Sequence, residues 1–248
     1  MAKFTLDHVA GIEQSMGYMR LPKGSLSDTP FKISDFDLLD DESYDVIKPR
    51  IYDSEWDCYV DEGVSHLVGA KDMTLASRLS VSKGGTGHDN YLKGITVWLT
   101  VEAPHYWWNQ AQRYHWFDIV SSSSKMHTLT TSPISSKCTR YVSKNTIYMI
   151  DILITVYNEW DEHDHAFRTG VCESEDLMYC PTDKNEWFEM ILDNLPMGYQ
   201  LTAGVVTNYL QLKTMYRQRK NHALSHWNSD FDAFIKDLPL QQLITGDK

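Results

Sequence analysis

The clearest pattern along the chain is a strict two-residue alternation at residues 95–101. Aliphatic side chains occupy every second position and other types lie between them: Ile95, Val97, Leu99 and Val101 alternate with Thr96, Trp98 and Thr100. Because successive side chains of a strand point to opposite faces, this alternation predicts a strand with one buried face. Pro104 is expected to end the strand, since proline donates no hydrogen bond to a sheet.

Apolar residues at helical spacing mark further segments. A short helix is predicted over 71–82, followed by a glycine turn at 84–87. Longer helices are predicted at 105–120, 145–160 and 202–230, whereas 1–70 indicates strands and loops and both 129–146 and 172–186 indicate loops. The fold class predicted from this order is α/β (α+β), with a mixed or antiparallel sheet centred on 95–101 and flanking helices at 105–120 and 203–225.

Composition narrows the class of protein. The 248 residues suit one large domain or two small ones, and 42% hydrophobic residues are enough for a core. A formal net charge of −11 argues against direct nucleic-acid binding but is compatible with a local basic pocket for a phosphate. With no run of 18 apolar residues and no signal-peptide pattern, we expect a cytoplasmic protein without membrane association. The four cysteines form no CxxC pair, and we expect reduced thiols.

Three polar segments are candidates for chemistry. His163 and His165 lie among carboxylates, but no third ligand follows at a motif spacing, so an acidic turn is favoured and no metal is predicted. A basic cluster at 217–220 suits phosphate binding, because arginine forms two parallel hydrogen bonds to an oxyanion; a solvated helix face is the alternative. The serine run 121–124 follows an aromatic stretch that favours packing, so we expect it to be ordered rather than a flexible linker.

Separated segments of the chain resemble the flavin-dependent thymidylate synthases, the ThyX family. LASRLS at 75–80 resembles the family's "aaRvS" element, and HDNYLKGITVWLTVEAP, from His88, resembles its histidine-led strand. QAQRYHWFDIVSSSSK at 110–125 is similar to RHRxxSxNExSxR and the glutamine before it. Asn208 and Arg219 are placed on the Asn of the C-terminal helix and on the Arg of its "NFLxLR".

Within the signature, some positions are kept and others are changed. Gln110 falls on the family's glutamine, Arg113 on its first arginine and Ser123 on its second serine. Tyr114 takes the place of the motif histidine, and His115 that of the second arginine. Lys125 replaces the last arginine by another cation.

The resemblance implies a cofactor, a substrate and an assembly. FAD would be the cofactor, with NADPH and methylenetetrahydrofolate as co-substrates, and the substrate would be dUMP or a related pyrimidine nucleotide. The family builds its active sites from several subunits, which implies a homotetramer. The resemblance also implies one ThyX-like domain over 1–248, with a divergent N-terminal region 1–65 and an insertion at about 129–195.

The same resemblance assigns roles to individual residues. Catalytic roles fall to Ser123 and Arg219; substrate contacts to Gln110, Arg113, Ser123, Lys125 and Arg219; cofactor contacts to Ser80, His88, Asn90, Arg113, Tyr114, His115 and Asn208. Each has an ordinary alternative: Arg113 can pair with a carboxylate and Ser123 can cap a helix. We expect Arg219→Ala to weaken nucleotide binding and to leave thermal stability nearly unchanged.

Three classes of function follow. The first is an enzyme that transfers one carbon to C5 of the nucleotide, as a methylase or a hydroxymethylase. The second is a non-catalytic or regulatory relative that binds nucleotide or flavin on the same scaffold. The third is a structural interaction protein that uses the acidic segments.

Overall fold

The computed structural model describes residues 1–25, 44–47, 66–82, 86–161, 163–175 and 177–246. The strands and helices, in chain order, are β1 (Lys3–Ala10), α1 (Ile12–Tyr18), β2 (Tyr44–Ile47), β3 (His66–Gly69), α2 (Ala70–Ser80), β4 (Thr96–Pro104), α3 (His105–Ala111), β5 (Phe117–Ser122), α4 (Lys125–Thr128), α5 (Lys144–Asn158), α6 (His165–Ser174), α7 (Lys184–Asp193), β6 (Gln200–Asn208), α8 (Tyr209–Arg219), α9 (Asp232–Asp237) and α10 (Gln242–Thr245). Short 3-10 helices span Leu21–Lys23, Asn90–Gly94 and Ile134–Lys137, and a π-helix spans His226–Phe231.

Four strands form the main sheet, in the order β1-β4-β6-β5, and β2 pairs with β3 in a separate antiparallel ribbon. The main sheet is antiparallel and flanked by helices, which confirms the predicted fold class. Strand β4 is the predicted alternating strand. Val97, Leu99 and Val101 are fully buried, whereas Trp98 on the opposite face is 38% exposed. The helices predicted at 71–82 and 145–160 are confirmed as α2 and α5.

Strand β6 corrects the prediction of a helix from residue 202. Ala203, Val205 and Thr207 are buried and the residues between them are only partly buried, which is the two-residue period of a strand. The helix begins only after Asn208, whose side-chain oxygen accepts a hydrogen bond of 2.9 Å from the Gln211 N–H. The predicted apolar stripe therefore crossed the boundary between a strand and a helix.

Strand β5 corrects the second half of the predicted helix at 105–120. Helix α3 ends at Ala111, and backbone hydrogen bonds from Tyr114 to Ala111 and from Phe117 to Tyr114 form a turn. The β-branched pair Ile119 and Val120 follows in β5, an edge strand of the sheet, and such residues favour a strand. The serine run is ordered, as predicted: Ser121 and Ser122 end β5, and Ser124 directly precedes α4.

The chain divides into two compact units. The first comprises residues 1–101, 110–121 and 203–248, and the second comprises 102–109 and 122–202. In the second unit α5 and α7 contribute to one buried core, where the Trp187 indole N–H donates to the Leu153 carbonyl at 2.8 Å. The prediction of one domain with an insertion at 129–195 stays a prediction. No helix among the described residues is long and apolar enough to span a membrane.

A disulfide in the second unit contradicts the expectation of reduced thiols. Cys172 and Cys180 are bonded, with their Cα atoms 5.6 Å apart. Helix α6 ends at Ser174 and the chain then turns back, so two cysteines that form no sequence motif become neighbours. The prediction of a loop over 172–186 is wrong at both ends of the segment, because α6 continues to Ser174 and α7 begins at Lys184. Cys138 is a free thiol, and Cys58 lies outside the described residues.

Candidate ligand-binding site

A cleft of about 380 Å³ lies beside helix α8 in the first unit. We call it the basic cleft, and its lining residues are Gly87, Asp89, Asn90, Lys93, Leu210, Lys213, Thr214 and Arg217. Three of these side chains are cationic and one is a carboxylate, although the whole chain carries a net charge of −11. A local excess of positive charge favours an anionic ligand such as a phosphate ester.

Two elements form the walls of the basic cleft. Residues 210, 213, 214 and 217 of α8 follow the i, i+3, i+4, i+7 spacing and therefore share one face of the helix. The 3-10 helix Asn90–Gly94 supplies the other side, and the Tyr209 N–H donates to the Ile95 carbonyl at 3.0 Å, which fixes the start of α8 beside it. The Tyr91 hydroxyl donates to the Ala76 carbonyl at 2.9 Å, and burial raises the pKa of Tyr91, so this hydroxyl stays protonated.

A buried ion pair lines the basic cleft. The Lys213 ammonium donates to the Asp89 carboxylate at 2.5 Å, and the two residues are only 2% and 7% exposed. Burial lowers the pKa of Lys213, and the Asp89 carboxylate acts in the opposite direction. Removing one partner of such a pair leaves the other charge buried without compensation, so the pair binds α8 firmly to the Asp89 turn.

The residues assigned to flavin contacts have different surroundings. Asn90 is exposed and lines the basic cleft. His88 is exposed but does not line it. Ser80 is 2% exposed and its hydroxyl donates to the Ser77 carbonyl at 2.9 Å. Asn208 uses its side-chain oxygen to cap α8. Of these four residues, Asn90 alone lines the basic cleft. The flavin-binding roles of all four stay predictions.

Arg219 lies in a cluster of polar and aromatic side chains, not on an open helix face. Its Nε donates to the Tyr114 hydroxyl at 2.8 Å and its Nη1 to the Gln110 Oε1 at 3.2 Å. The guanidinium also lies 4.7 Å from the centre of the Trp227 ring, a cation–π contact. The Trp227 indole donates to the same Gln110 oxygen at 2.9 Å. The predicted residues Gln110, Tyr114 and Arg219 are therefore brought together, but they contact one another.

Arg113 and His115 lie in the turn between α3 and β5, and both are exposed. The His115 ring contacts Trp116 edge-on at 4.9 Å, and the Trp116 N–H donates to the Gln211 Oε1 at 3.4 Å. Neither Arg113 nor His115 lines the basic cleft. Their predicted contacts with substrate and cofactor stay predictions.

Ser123 and Lys125 belong to the second unit, which is described by itself. The Ser123 N–H donates to the Thr202 carbonyl at 2.8 Å, and its hydroxyl accepts from the Thr202 N–H at 3.3 Å. Lys125 begins the short helix α4. The pKa of His105 is lowered, mainly by its burial and further by the positive charge of Lys125. The catalytic and substrate-binding roles assigned to this pair stay predictions.

Sequence reasoning missed Lys213, although a signal for it was present. In the pattern "NFLxLR" the arginine follows the asparagine by five positions, and five positions after Asn208 stands Lys213, in NYLQLK. Arg219 is eleven positions after Asn208. By this spacing Lys213, not Arg219, matches the arginine of that pattern, and Lys213 lines the basic cleft.

Within the described ranges, no group of three or more His, Cys, Asp or Glu side chains is arranged to hold a metal ion.

Comparison with known proteins identifies similar solved structures. No family model and no curated protein matches the chain. The structure of the flavin-dependent thymidylate synthase ThyX from Helicobacter pylori, in complex with FAD and dUMP, matches with a TM-score of 0.59 and 13% identity, over 97% of this chain and 96% of that chain. A second structure of ThyX from Helicobacter pylori with FAD and dUMP gives a TM-score of 0.58 and 11% identity, over 98% and 96% of the two chains. The likeness extends over the whole length and shows a shared fold.

Proposed function

We propose that the protein binds a pyrimidine nucleotide in the basic cleft and transfers a one-carbon unit to C5 of that nucleotide with the help of FAD. The observation that carries the proposal is the coincidence of two features. The fold matches, over its whole length, proteins crystallised with FAD and dUMP, and helix α8 presents two cations to a cleft in an otherwise acidic chain.

The basic cleft offers suitable groups for each part of a nucleotide. Lys213 has N–H donors beside the carboxylate acceptor of Asp89, and this pair complements a uracil edge, where the O4 acceptor adjoins the N3–H donor. Arg217 and Lys93 supply cations for the phosphate, and Asn90 has both a donor and an acceptor. In this arrangement Lys213 orients the base while Arg217 holds the phosphate.

The cofactor requires more room than this cleft provides. A volume of about 380 Å³ is at the lower end of ordinary ligand pockets, which suits one nucleotide but not dUMP and FAD together. Bound FAD would supply the hydride chemistry, with NADPH as reductant and methylenetetrahydrofolate as the one-carbon donor. Asn90 faces the cleft and is the described residue best placed to contact a flavin next to the nucleotide.

A homotetramer completes the proposal, because additional copies would enlarge the site. The outer face of the sheet supports association: Trp98 of β4 and Val120 of β5 are 38% and 69% exposed, and Trp116, directly before β5, is 54% exposed. A Cβ added at Gly204 in β6 would meet nothing within 4 Å, so this face is open there. Light scattering on the purified protein is expected to give four copies, and a monomer at micromolar concentration would contradict the assembly.

A non-catalytic nucleotide-binding protein is the second candidate. It is favoured by the cluster in which the Arg219 guanidinium donates hydrogen bonds to Tyr114 and Gln110, because these contacts use groups that the resemblance assigned to ligands. Purified protein is incubated with FAD, desalted and scanned for flavin absorbance, and then given NADPH, methylenetetrahydrofolate and dUMP. An enzyme retains the yellow flavin and converts dUMP into a product heavier by a methyl or hydroxymethyl group. Nucleotide binding without flavin or product would establish the second candidate.

A further inference from the structure

The second unit contains a groove that the proposed reaction does not use. It has a volume of about 550 Å³ and lies between helix α7, residues 175 and 177–179, and Met149 of α5. We call it the acidic groove. Four of its lining side chains are carboxylates. Within the described part of the chain, no lysine or arginine lines the groove.

Helix α7 presents two different faces. Trp187, Phe188 and Ile191 are buried in the core of the second unit. The residues that line the acidic groove are 186, 189, 190 and 193, which follow the i, i+3, i+4, i+7 spacing of one helical face. This face carries three carboxylates around Met190, so one helix both completes the core and forms a charged wall.

The opposite wall is fixed by covalent and hydrogen bonds. The disulfide between Cys172 and Cys180 closes the loop that carries Leu177, Met178 and Tyr179. The Tyr179 hydroxyl and the Thr182 N–H donate to the Glu186 carboxylate at 3.0 and 2.8 Å, which joins this loop to α7. These hydrogen bonds lower the pKa of Glu186, so this carboxylate stays ionised. A wall that is already ordered loses little entropy when a ligand binds.

The lining of the groove is apolar as well as acidic. It includes Met149, Met178 and Met190, three of the ten methionines in the chain, together with Leu177. Met178 is fully exposed to solvent. Methionine is flexible and polarizable, and it is frequent on surfaces that bind apolar faces of varied shape. Apolar floors with a charged rim are typical of grooves that bind an amphipathic helix.

The negative charge around the acidic groove determines which kind of partner it can bind. Residues 159–193 contain eleven carboxylates and two cations, so they hold about a third of the acidic residues of the chain. Such a field attracts a basic segment and repels nucleotides and anionic membrane surfaces. We propose that the acidic groove is a docking site for a partner protein, which inserts a basic amphipathic helix with its apolar face on the methionines and its lysines or arginines on the carboxylates.

A pair of synthetic peptides tests this proposal on the full-length protein. The first is a labelled amphipathic helix of leucine and lysine, and the second has every lysine replaced by glutamate. Fluorescence anisotropy is expected to show saturable, salt-sensitive binding of the first peptide and none of the second. Absence of saturable binding by the lysine peptide, or equal binding of both, would overturn the proposal.

Matched variants separate docking from general attraction. The double variant Glu189→Gln, Asp193→Asn removes two charges from the groove, and Glu159→Gln, Glu173→Gln removes two exposed charges from the same unit outside it. We expect the first variant to bind the lysine peptide roughly tenfold more weakly, and the second to change its affinity by less than about twofold. Equal weakening of peptide binding by both variants would mean unspecific electrostatic attraction, and the assignment of the groove as the docking site would be refuted.

The apolar part of the proposal has a separate test. Met178→Ser changes a fully exposed side chain, so folding is unaffected, and we expect several-fold weaker peptide binding. Unchanged affinity would show that the peptide does not contact Met178, and the proposal that its apolar face lies on the methionines would fail. A second copy of this chain is the alternative occupant of the groove, and light scattering of the charge variants tests it. A changed number of subunits would mean that a second copy fills the groove, and the partner-protein proposal would fail.

Discussion

The basic cleft and the acidic groove have opposite chemistry. The cleft, about 380 Å³, is lined by three cations and contains a buried ion pair. The groove, about 550 Å³, is lined by four carboxylates and three methionines. Each is formed mainly by one helix that also packs in its own unit. If both proposals hold, one chain carries separate surfaces for an anionic small molecule and for a cationic partner.

The two sites also differ in how their walls are fixed. In the basic cleft a buried lysine and aspartate hold α8 to a turn, and this depends on charge. In the acidic groove a disulfide closes the wall, and this depends on redox conditions. The four predictions below perturb these supports and the cations beside them, in order of decreasing effect.

Lys213→Ala should have the largest effect. It leaves the Asp89 carboxylate buried and unpaired, which lowers the free energy of unfolding by about 3–5 kcal/mol. The double variant Lys213→Met, Asp89→Asn removes both charges and should recover much of that loss. Urea unfolding followed by circular dichroism measures both. A loss below about 1 kcal/mol for Lys213→Ala would mean that the pair is hydrated and does not support the cleft.

Removing the disulfide should affect the second unit selectively. Cys172→Ser combined with Cys180→Ser releases the short loop and is expected to lower stability by about 2–3 kcal/mol, because the unfolded chain is no longer constrained. Hydrogen exchange should become faster in peptides from α6 and α7 and stay unchanged in α8. Cys138→Ser is the control, since this thiol is free. Faster exchange in α8 as well would show that the two supports are not independent.

Arg219→Ala should be destabilising, contrary to the expectation from sequence. The variant loses two hydrogen bonds and a cation–π contact, together worth about 1–2 kcal/mol. Arg217→Ala on the same helix is the matched comparison, because its exposed side chain should change stability by less than about 0.5 kcal/mol. Thermal unfolding measures both. Unchanged stability with weaker nucleotide binding in Arg219→Ala would restore the original assignment.

The sequence was sufficient where one local period dominated. The alternation at 95–101 predicted β4, and the helical stripes at 71–82 and 145–160 predicted α2 and α5. It failed where two elements meet without a glycine or proline between them. Asn208 both ends β6 and caps α8, so apolar residues from the strand and the helix formed one false stripe.

The candidate site was predicted less completely than the fold, because contacts between residues that are distant in sequence determine how its side chains are arranged. Arg219 looks exposed in the basic cluster 217–220, but Gln110 and Tyr114, more than a hundred positions earlier, enclose it. Lys213 carried a local signal in its spacing from Asn208. Its pairing with Asp89 over 124 positions could only be seen in the fold.

Arg217→Ala should have the smallest energetic effect but the most specific one. Arg217 is exposed and lines the basic cleft. In the proposed complex it makes one charge-assisted contact with the phosphate, and loss of that contact should weaken dUMP binding roughly tenfold, about 1.4 kcal/mol. Affinity for deoxyuridine, which has no phosphate, should not change. Lys220→Ala is the control, because this exposed cation belongs to the same cluster but does not line the cleft. Calorimetry at two salt concentrations measures all three, and the difference between the variants should persist at the higher one. If Lys220→Ala weakens dUMP binding as much as Arg217→Ala, the nucleotide responds to the general field of the cluster, and the basic cleft is not its binding site.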